Sequence, residues 1–170
     1  MPKATLLLGS NLGDRRAVME RAAEMIEARA GKIGPVSSYR ESEPWGFDSE
    51  NLFLNRALAV ETPLAPLELL DELQAIETEL GRVREKCGDT GEENAKGHAG
   101  PAQYRDRPVD IDIIFYDDMV CSSERLTIPH PKVQFRAFAL GLLAEIMPSY
   151  VHPALGMTVE ELADNTGAAF

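Results

Sequence analysis

The sequence predicts an α+β sandwich, in which helices pack on a mixed but mostly antiparallel β-sheet. Segments with the two-residue alternation of strands and segments with helical stripes of apolar residues follow each other along the chain. Their order is βαββα, a long loop, β, an extended segment and α. This order suggests a ferredoxin-like fold. The 170 residues suit a single domain with one core.

The first half of the chain contains most of the predicted elements. Ala4–Leu8 is a short apolar strand, and turn residues at 9–14 precede a helix that runs to about Ala30. Ile33–Glu43 and Asn51–Glu61 are the next two strands. A second helix begins near Pro66 and ends at Gly81. Its apolar stripe repeats every three to four residues, at Leu69, Leu73, Ile76 and Leu80.

The second half begins with an unusual segment, Glu85–Asp106, which is rich in glycine and has almost no large apolar residue. Such a segment cannot pack a core, and we expect a mobile loop or lid within the single domain. Val109–Tyr116 reads as a buried strand. An extended segment at 125–131, a helix from about Phe135 to Ile146 and a short helical turn near 159–163 follow.

Composition limits the classes of function. A net charge of −11 argues against general affinity for nucleic acid or anionic membranes, because such partners require a basic surface. Cys87 and Cys121 are too few for a disulfide framework or a zinc quartet, and they read as reduced thiols. The sequence has no long apolar run, so we expect a cytoplasmic protein. We separately expect a monomer, although no feature of the sequence determines the oligomeric state.

The strongest chemical signal is the pair Asp110 and Asp112. Alternate residues of a strand share a face, which places the two Cα atoms about 6.6 Å apart. Two neighbouring carboxylates on an apolar strand are costly unless a cation lies between them. Mg²⁺ bound by one or two carboxylates commonly carries the phosphates of a substrate. The alternative is that both acids are simply solvated at the end of the strand.

Arginines flank the long loop on both sides. Arg82 and Arg84 precede it, and Arg105 and Arg107 follow it. Guanidinium groups bind phosphate oxygens through paired hydrogen bonds, although a single loop arginine is more often just solvated. The sequence has no Walker-type or dinucleotide-binding glycine loop, and Gly9 to Gly13 reads better as a tight turn. A nucleotide would therefore be held by metal ions and arginines.

Other candidate residues are less specific. His130 lies between two prolines, where it could contact a phosphate or a base, or serve only as a turn residue. An amide at Asn55 and several rings could form a slot for a flat heterocycle, although ordinary core packing explains each ring alone. The rings are those of Trp45, Phe53 and Phe138.

Taken together, several segments resemble 6-hydroxymethyl-7,8-dihydropterin pyrophosphokinases of folate biosynthesis. The most specific are the run Arg107-Pro-Val-Asp-Ile-Asp-Ile-Ile114 and the run Arg125-Leu-Thr-Ile-Pro-His130. Leu8-Gly-Ser-Asn-Leu-Gly13 and Gly81-Arg-Val-Arg84 match as well. The resemblance implies a ferredoxin-like fold and transfer of pyrophosphate from ATP to the pterin hydroxymethyl group, with AMP as the second product.

The resemblance also implies roles for individual residues. Asp110 and Asp112 would hold two Mg²⁺ ions, and Arg82 and Arg107 would contact the migrating phosphates as further catalytic residues. One further group of residues would bind ATP, and another would bind the pterin. The ATP group comprises Gln74, Glu77, Arg84, Ile113, Arg125, Thr127, His130 and Arg136. The pterin group comprises Ser42, Pro44, Trp45, Phe53, Asn55 and Phe138.

Two other functions use the same residues. A metal-dependent phosphohydrolase could employ the aspartates and arginines, and it would release phosphate from ATP without an acceptor. A non-catalytic ferredoxin-like module could bind a ligand without turnover, in which case the arginines near the loop would be superfluous.

Overall fold

The computed structural model describes residues 1–43, 52–81 and 108–166. The predicted long loop at 85–106 lies outside these ranges. The described part of the chain forms seven strands, four α-helices and one 3₁₀ turn. The strands are β1 Lys3–Ser10, β2 Lys32–Val36, β3 Arg40–Ser42, β4 Phe53–Glu61, β5 Asp110–Tyr116, β6 Cys121–Ser122 and β7 Thr127–Ile128. The helices are α1 Arg15–Arg29, α2 Pro66–Glu79, α3 Ala137–Ile146 and α4 Val159–Thr166, and the 3₁₀ turn is Val133–Phe135.

The main sheet has the order β2-β4-β1-β5, and β3 extends it by pairing with the start of β4. The predicted ferredoxin-like α+β arrangement is confirmed. All pairings among the described strands of this sheet are antiparallel, so the parallel pairing expected of a mixed sheet does not occur there. Among the described strands, β5 lies at the edge of the sheet, and its outer side forms hydrogen bonds with Glu77 of α2 and with His130 of the segment that follows it.

The two faces of the sheet carry separate hydrophobic clusters. Residues such as Leu6, Leu8 and Ile113 pack against α1 and α2. Leu7, Ala57 and their neighbours pack against α3 and α4. Because side chains alternate along a strand, adjacent residues of β1 serve opposite clusters. Burial of each large aliphatic side chain stabilises the fold by about 1.5–3 kcal/mol, so both faces hold helices firmly.

The first two helices begin with the residues that the sequence predicts. Asp14 caps α1, because its Oδ1 accepts a hydrogen bond from the backbone N–H of Ala17 at 3.1 Å. Pro66 opens α2, and Oε1 of Glu68 accepts from the N–H of Ala65 at 2.9 Å. These contacts satisfy donors that the first helical turn leaves open.

The predicted second strand, Ile33–Glu43, is wrong as a single element. It forms two strands, β2 and β3, which pair with different parts of β4. Between them, the Ser37 hydroxyl accepts from the N–H of Ala57 at 2.8 Å, and the N–H of Ser37 donates to the carbonyl of Ala57 at 2.8 Å. The side chain thus replaces a backbone acceptor and interrupts the regular ladder.

The predicted third long helix begins slightly later than expected. Val133–Phe135 form the 3₁₀ turn, and Arg136 has extended backbone angles, φ −107° and ψ 94°. α3 therefore starts at Ala137, with Arg136 and Phe138 on either side of its first residue. Among the residues described, none of the helices combines the length and the apolarity that a membrane span requires.

Candidate active site

The paired aspartates lie on the same face of edge strand β5. Asp110 is opposite Gly9 in the register with β1, and Asp112 is opposite Leu7. Both carboxylates are partly exposed, on the face that carries α3. The guanidinium of Arg136, just before α3, lies 3.9 Å from Oδ2 of Asp112 (Nη1 to Oδ2). The structure thus brings three of the predicted site residues together.

Glu77 of α2 fixes the start of β5. Its side chain is buried, and Oε2 accepts a hydrogen bond of 2.6 Å from the backbone N–H of Ile111. Ile111 lies between the two aspartates, and its N–H faces the open edge of the sheet. A carboxylate acceptor gives a stronger hydrogen bond than a neutral one. The sequence places Glu77 on α2 but gives no sign of this contact with the strand.

A cavity of about 310 Å³ lies along the outer edge of β5, between α2 and residues 123–131. Its size is within the range of small-molecule sites. Both aspartates and most of the predicted ATP residues line it, namely Gln74, Glu77, Ile113, Arg125, Thr127 and His130. Leu70 and Leu126 add apolar walls that the sequence analysis missed. Leu70, Gln74 and Glu77 follow helical spacing, which could have indicated the shared face.

His130 enters this cavity as a neutral imidazole. Burial and the nearby charges of Arg136 and Lys132 lower its pKa to about 4, although Asp110 acts in the opposite direction. Its Nδ1 accepts from the N–H of Lys132 at 3.2 Å, and its backbone N–H donates to the carbonyl of Ile114 at 2.9 Å. The proton of the neutral ring is therefore assigned to Nε2, where it can be donated to a ligand.

Arg125 lies at the rim of the cavity, where its guanidinium pairs with Oδ1 of Asp71 on α2. Both side chains are about half exposed, and exposed ion pairs contribute little to stability. The contact with Asp71 instead keeps the flat, positively charged guanidinium of Arg125 at the edge of the cavity.

A second group of predicted residues lies on the neighbouring strands β3 and β4. Nδ2 of Asn55 donates to Oγ of Ser42 at 2.8 Å and to the carbonyl of Arg40 at 3.0 Å. These bonds fix the orientation of the amide, since both acceptors lie on β3. Phe53 precedes Asn55 by two residues and shares its face of β4. Phe138 of α3 packs on the cluster that covers this face.

Gly9 lies between the two groups. A Cβ at this position would be 3.1 Å from Oδ1 of Asn55 and 3.4 Å from the ring of Phe53. The missing side chain therefore allows the amide and the ring to approach the central strand. Five further predicted site residues lie outside the described residues, namely Pro44, Trp45, Arg82, Arg84 and Arg107.

The donor set suits Mg²⁺ supplied together with a phosphorylated substrate. Within residues 1–43, 52–81 and 108–166, no three histidine, cysteine or acidic side chains come together as a metal-binding group. Asp110 and Asp112 supply carboxylate oxygens, which are hard ligands. Mg²⁺ usually takes only one or two such ligands and completes its shell with water and phosphate oxygens. The pair can therefore hold a metal–phosphate complex beside the edge cavity.

Comparison with known proteins agrees with this arrangement. A model of the 7,8-dihydro-6-hydroxymethylpterin-pyrophosphokinase (HPPK) family matches residues 5–148, which include every described residue of the site. The chain belongs to this pyrophosphokinase family. The predicted family and enzyme class are thereby confirmed.

Two relatives have a length similar to that of this chain. The 2-amino-4-hydroxy-6-hydroxymethyldihydropteridine pyrophosphokinase of Methylorubrum extorquens is 40% identical over 152 residues, covering 89% of this chain and 86% of the relative. The protein of the same name from Porphyromonas gingivalis is 38% identical over 149 residues, covering 87% of this chain and 92% of the relative.

A solved structure supports the fold of the pyrophosphokinase. The crystal structure of the Plasmodium falciparum HPPK-DHPS wild-type protein superposes with a TM-score of 0.71 at 17% sequence identity. The match covers 96% of this chain and 44% of the Plasmodium chain. At 17% identity, this similarity shows only that the two proteins share a fold.

Proposed function

We propose that the protein transfers pyrophosphate from ATP to the hydroxymethyl group of 6-hydroxymethyl-7,8-dihydropterin, which yields AMP and the pterin diphosphate for folate biosynthesis. The family and the names of its relatives support this reaction. The observation that carries it for this chain is the position of the aspartates. The aspartates lie between the cavity at the edge of the sheet and the predicted pterin residues around Asn55 on the face of the sheet.

The edge cavity would hold ATP. Leu70 and Leu126 offer apolar surface for the base, and Gln74 and Thr127 offer hydrogen bonds. Arg125 at the rim and the Nε2–H of His130 would bind to phosphate or ribose oxygens. Because His130 is neutral, the negative charge of the phosphates would be balanced by arginines and metal ions.

The face of the sheet near Gly9 would hold the pterin. Nδ2 of Asn55 already donates to Ser42 and Arg40, so its Oδ1 is directed to the Gly9 side and can accept from an amino group of the ring. Phe53 and Phe138 would stack on the two faces of the heterocycle. We expect Pro44 and Trp45 to complete this pocket.

Asp110 and Asp112 would hold two Mg²⁺ ions, which would supply positive charge against the triphosphate. Arg136 beside Asp112 adds a fixed positive charge from the protein. We expect Arg82 and Arg107 to contact the transferred group and Arg84 to bind ATP.

The reaction would be an in-line displacement. The hydroxyl oxygen of the pterin would bond to the β-phosphorus of ATP, and the bond from that phosphorus to the α,β-bridging oxygen would break. The electron pair would leave with AMP, and the hydroxyl proton would pass to solvent. We assign no side chain as general base, because positioning and electrostatic stabilisation supply most of the catalysis in such transfers.

The test is a coupled assay of AMP release from ATP and Mg²⁺, with and without 6-hydroxymethyl-7,8-dihydropterin. We expect AMP only when the acceptor is present. Release of inorganic phosphate without the acceptor would identify a phosphohydrolase instead. Binding of both ligands without any product would identify a non-catalytic module.

A further inference from the structure

A second cavity, of about 350 Å³, lies at the opposite end of the sheet face that carries α3. We call it the distal cavity. Its floor consists of small residues on neighbouring strands, Thr5, Gly34 and Ala59. Phe115 and Met147 form part of its walls. The cavity forms because no large side chain projects from these three positions. Its volume is within the range of small-molecule sites.

The distal cavity is separate from the candidate active site. Thr5 is four residues from Gly9 along β1, which corresponds to about 13 Å. Between them, Leu7 and Ala57 are buried under α3. No residue is shared between the linings of the two cavities in the described part of the chain. A ligand could therefore occupy one cavity without contacting the other.

The interior of the distal cavity is apolar in character, because its hydroxyl groups already have partners. Oγ1 of Thr5 donates to Sδ of Met147 at 3.6 Å, and the Tyr150 hydroxyl donates to the carbonyl of Asp117. Burial raises the pKa of Tyr150 to about 12, so the phenol stays neutral. The rings of Phe115 and Tyr150 lie 4.5 Å apart. Aromatic faces and a thioether favour a flat aromatic ligand.

The mouth of the distal cavity carries more negative than positive charge. Among the described residues that line the cavity, the exposed charged ones are the two acids Glu61 and Asp117 and the base Lys3, and their exposure places them at its mouth. Asp118 follows Asp117 and adds to the negative field, since both acids help to raise the pKa of Tyr150. Charge complementarity at such an opening selects against anions and for a cationic head group.

We propose that the distal cavity binds a small aromatic amine, with the ring between Phe115 and Met147 and the ammonium group at the mouth near Glu61 and Asp117. The ring would fill the space above Ala59. The ammonium group would remain partly hydrated, where exposed carboxylates can pair with it without a large desolvation cost.

Benzylamine and benzoate are matched probes, because they share a ring and differ in the sign of the charge. Each would be titrated into ¹⁵N-labelled protein, and the shifts of the backbone amide signals would be followed. We expect benzylamine to shift the signals of Thr5, Gly34 and Ala59, and benzoate to bind at least about tenfold more weakly, a difference of about 1.4 kcal/mol. Equal binding of the two probes would overturn the proposal.

Two variants separate the cavity from adventitious binding. Ala59→Leu fills the floor and should abolish the benzylamine shifts. Ala17→Leu, the same change on the exposed surface of α1, should leave them intact. Shifts that persist in Ala59→Leu would refute the proposal.

The charge is tested with Glu61→Gln combined with Asp117→Asn. Asparagine tolerates the positive φ of 49° at position 117, and its Oδ1 can still accept the bond from the N–H of Lys3. We expect this variant to lose most of the preference for benzylamine over benzoate. An unchanged preference would contradict the assignment, and this test also decides the matter if Ala59→Leu does not fold.

Discussion

Asn55 and Asp110 lie opposite the same residue, Gly9, on the two sides of the central strand β1. Two strand spacings separate their Cα atoms by about 10 Å. One of them belongs to the proposed pterin pocket and the other to the proposed metal site. The residue between them is a glycine, so no side chain of β1 separates the two groups on this face of the sheet. This relationship joins the two halves of the site.

Gly9→Ala should impair pterin binding more than ATP binding. The new Cβ would be 3.1 Å from Oδ1 of Asn55 and 3.4 Å from the Phe53 ring, so both groups would have to move. We expect KM for the pterin to rise at least about tenfold, equivalent to 1.4 kcal/mol, with little change in KM for ATP. Gly34→Ala is the control, because its Cβ would meet only the carbonyl of Ala59 at 4.0 Å. Equal effects of the two substitutions on pterin KM would argue against the role of Gly9.

Asp112→Ala should abolish turnover while the fold remains intact. The carboxylate is proposed to bind the metal–phosphate complex, and it lies on a partly exposed face rather than in the core. Loss of several kcal/mol of charge stabilisation corresponds to a decrease in kcat of at least about 100-fold. AMP release and a far-ultraviolet circular dichroism spectrum would check both expectations. Asp118→Ala, at an exposed acid of the following turn, should retain activity. Near-normal turnover of the Asp112 variant would remove the metal hypothesis.

Glu77→Ala should weaken both stability and activity. It leaves the buried N–H of Ile111 without its acceptor, which costs about 1–3 kcal/mol. Urea denaturation would measure this loss of unfolding free energy, and a raised KM for ATP should accompany it because the strand end bears the aspartates. Glu77→Gln retains an acceptor oxygen and should be the milder change. If the two variants were equally unstable, the acceptor oxygen that binds the N–H of Ile111 would not be the source of the stability that Glu77 provides.

His152 should make the protein less stable in acid. Burial lowers the pKa of its imidazole below 6.5, while Nδ1 accepts from the N–H groups of Ala154 and Leu155 at 3.2 and 3.1 Å. Below pH 6.5 the unfolded chain therefore binds a proton that the folded ring does not. The free energy of unfolding should decrease as the pH falls from 6.5 toward the lowered pKa of the folded state.

The measurement is urea unfolding at pH 7 and pH 5 for the native protein and for His152→Asn. Asparagine can offer an acceptor oxygen to the same loop but does not titrate in this range. The variant should therefore lose less stability between the two pH values. A pH dependence equal to that of the native protein would assign the acid sensitivity to other groups.

Local signals in the sequence were sufficient for much of the fold. The alternation in Val109–Tyr116 and the leucine stripe before Gly81 predict β5 and α2 to within two residues. The split of the second strand was not predictable, because it depends on the Ser37 hydroxyl finding the N–H of Ala57, twenty residues away. Periodicity carries no information about such a long-range side-chain bond.

The candidate site shows the same division. The spacing of Asp110 and Asp112 gave their common face, and the resemblance gave the residues of the edge cavity. The contact between Glu77 and Ile111 and the closeness of Gly9 to Asn55 follow from tertiary packing. The distal cavity was also missed, since empty space arises from small residues on three separate strands.

The position of β5 at the edge of the sheet has one more consequence. Its acids alternate with Ile111 and Ile113, which belong to the opposite hydrophobic cluster. A slip of the strand by a single residue would turn the carboxylates into that cluster and expose the isoleucines. An insertion or deletion between Asp110 and Ile113 that shifted this register would thus disturb the proposed metal site and the packing of the strand together, whereas the extra residue at the bulge after Ile113 leaves the register of the two acids unchanged.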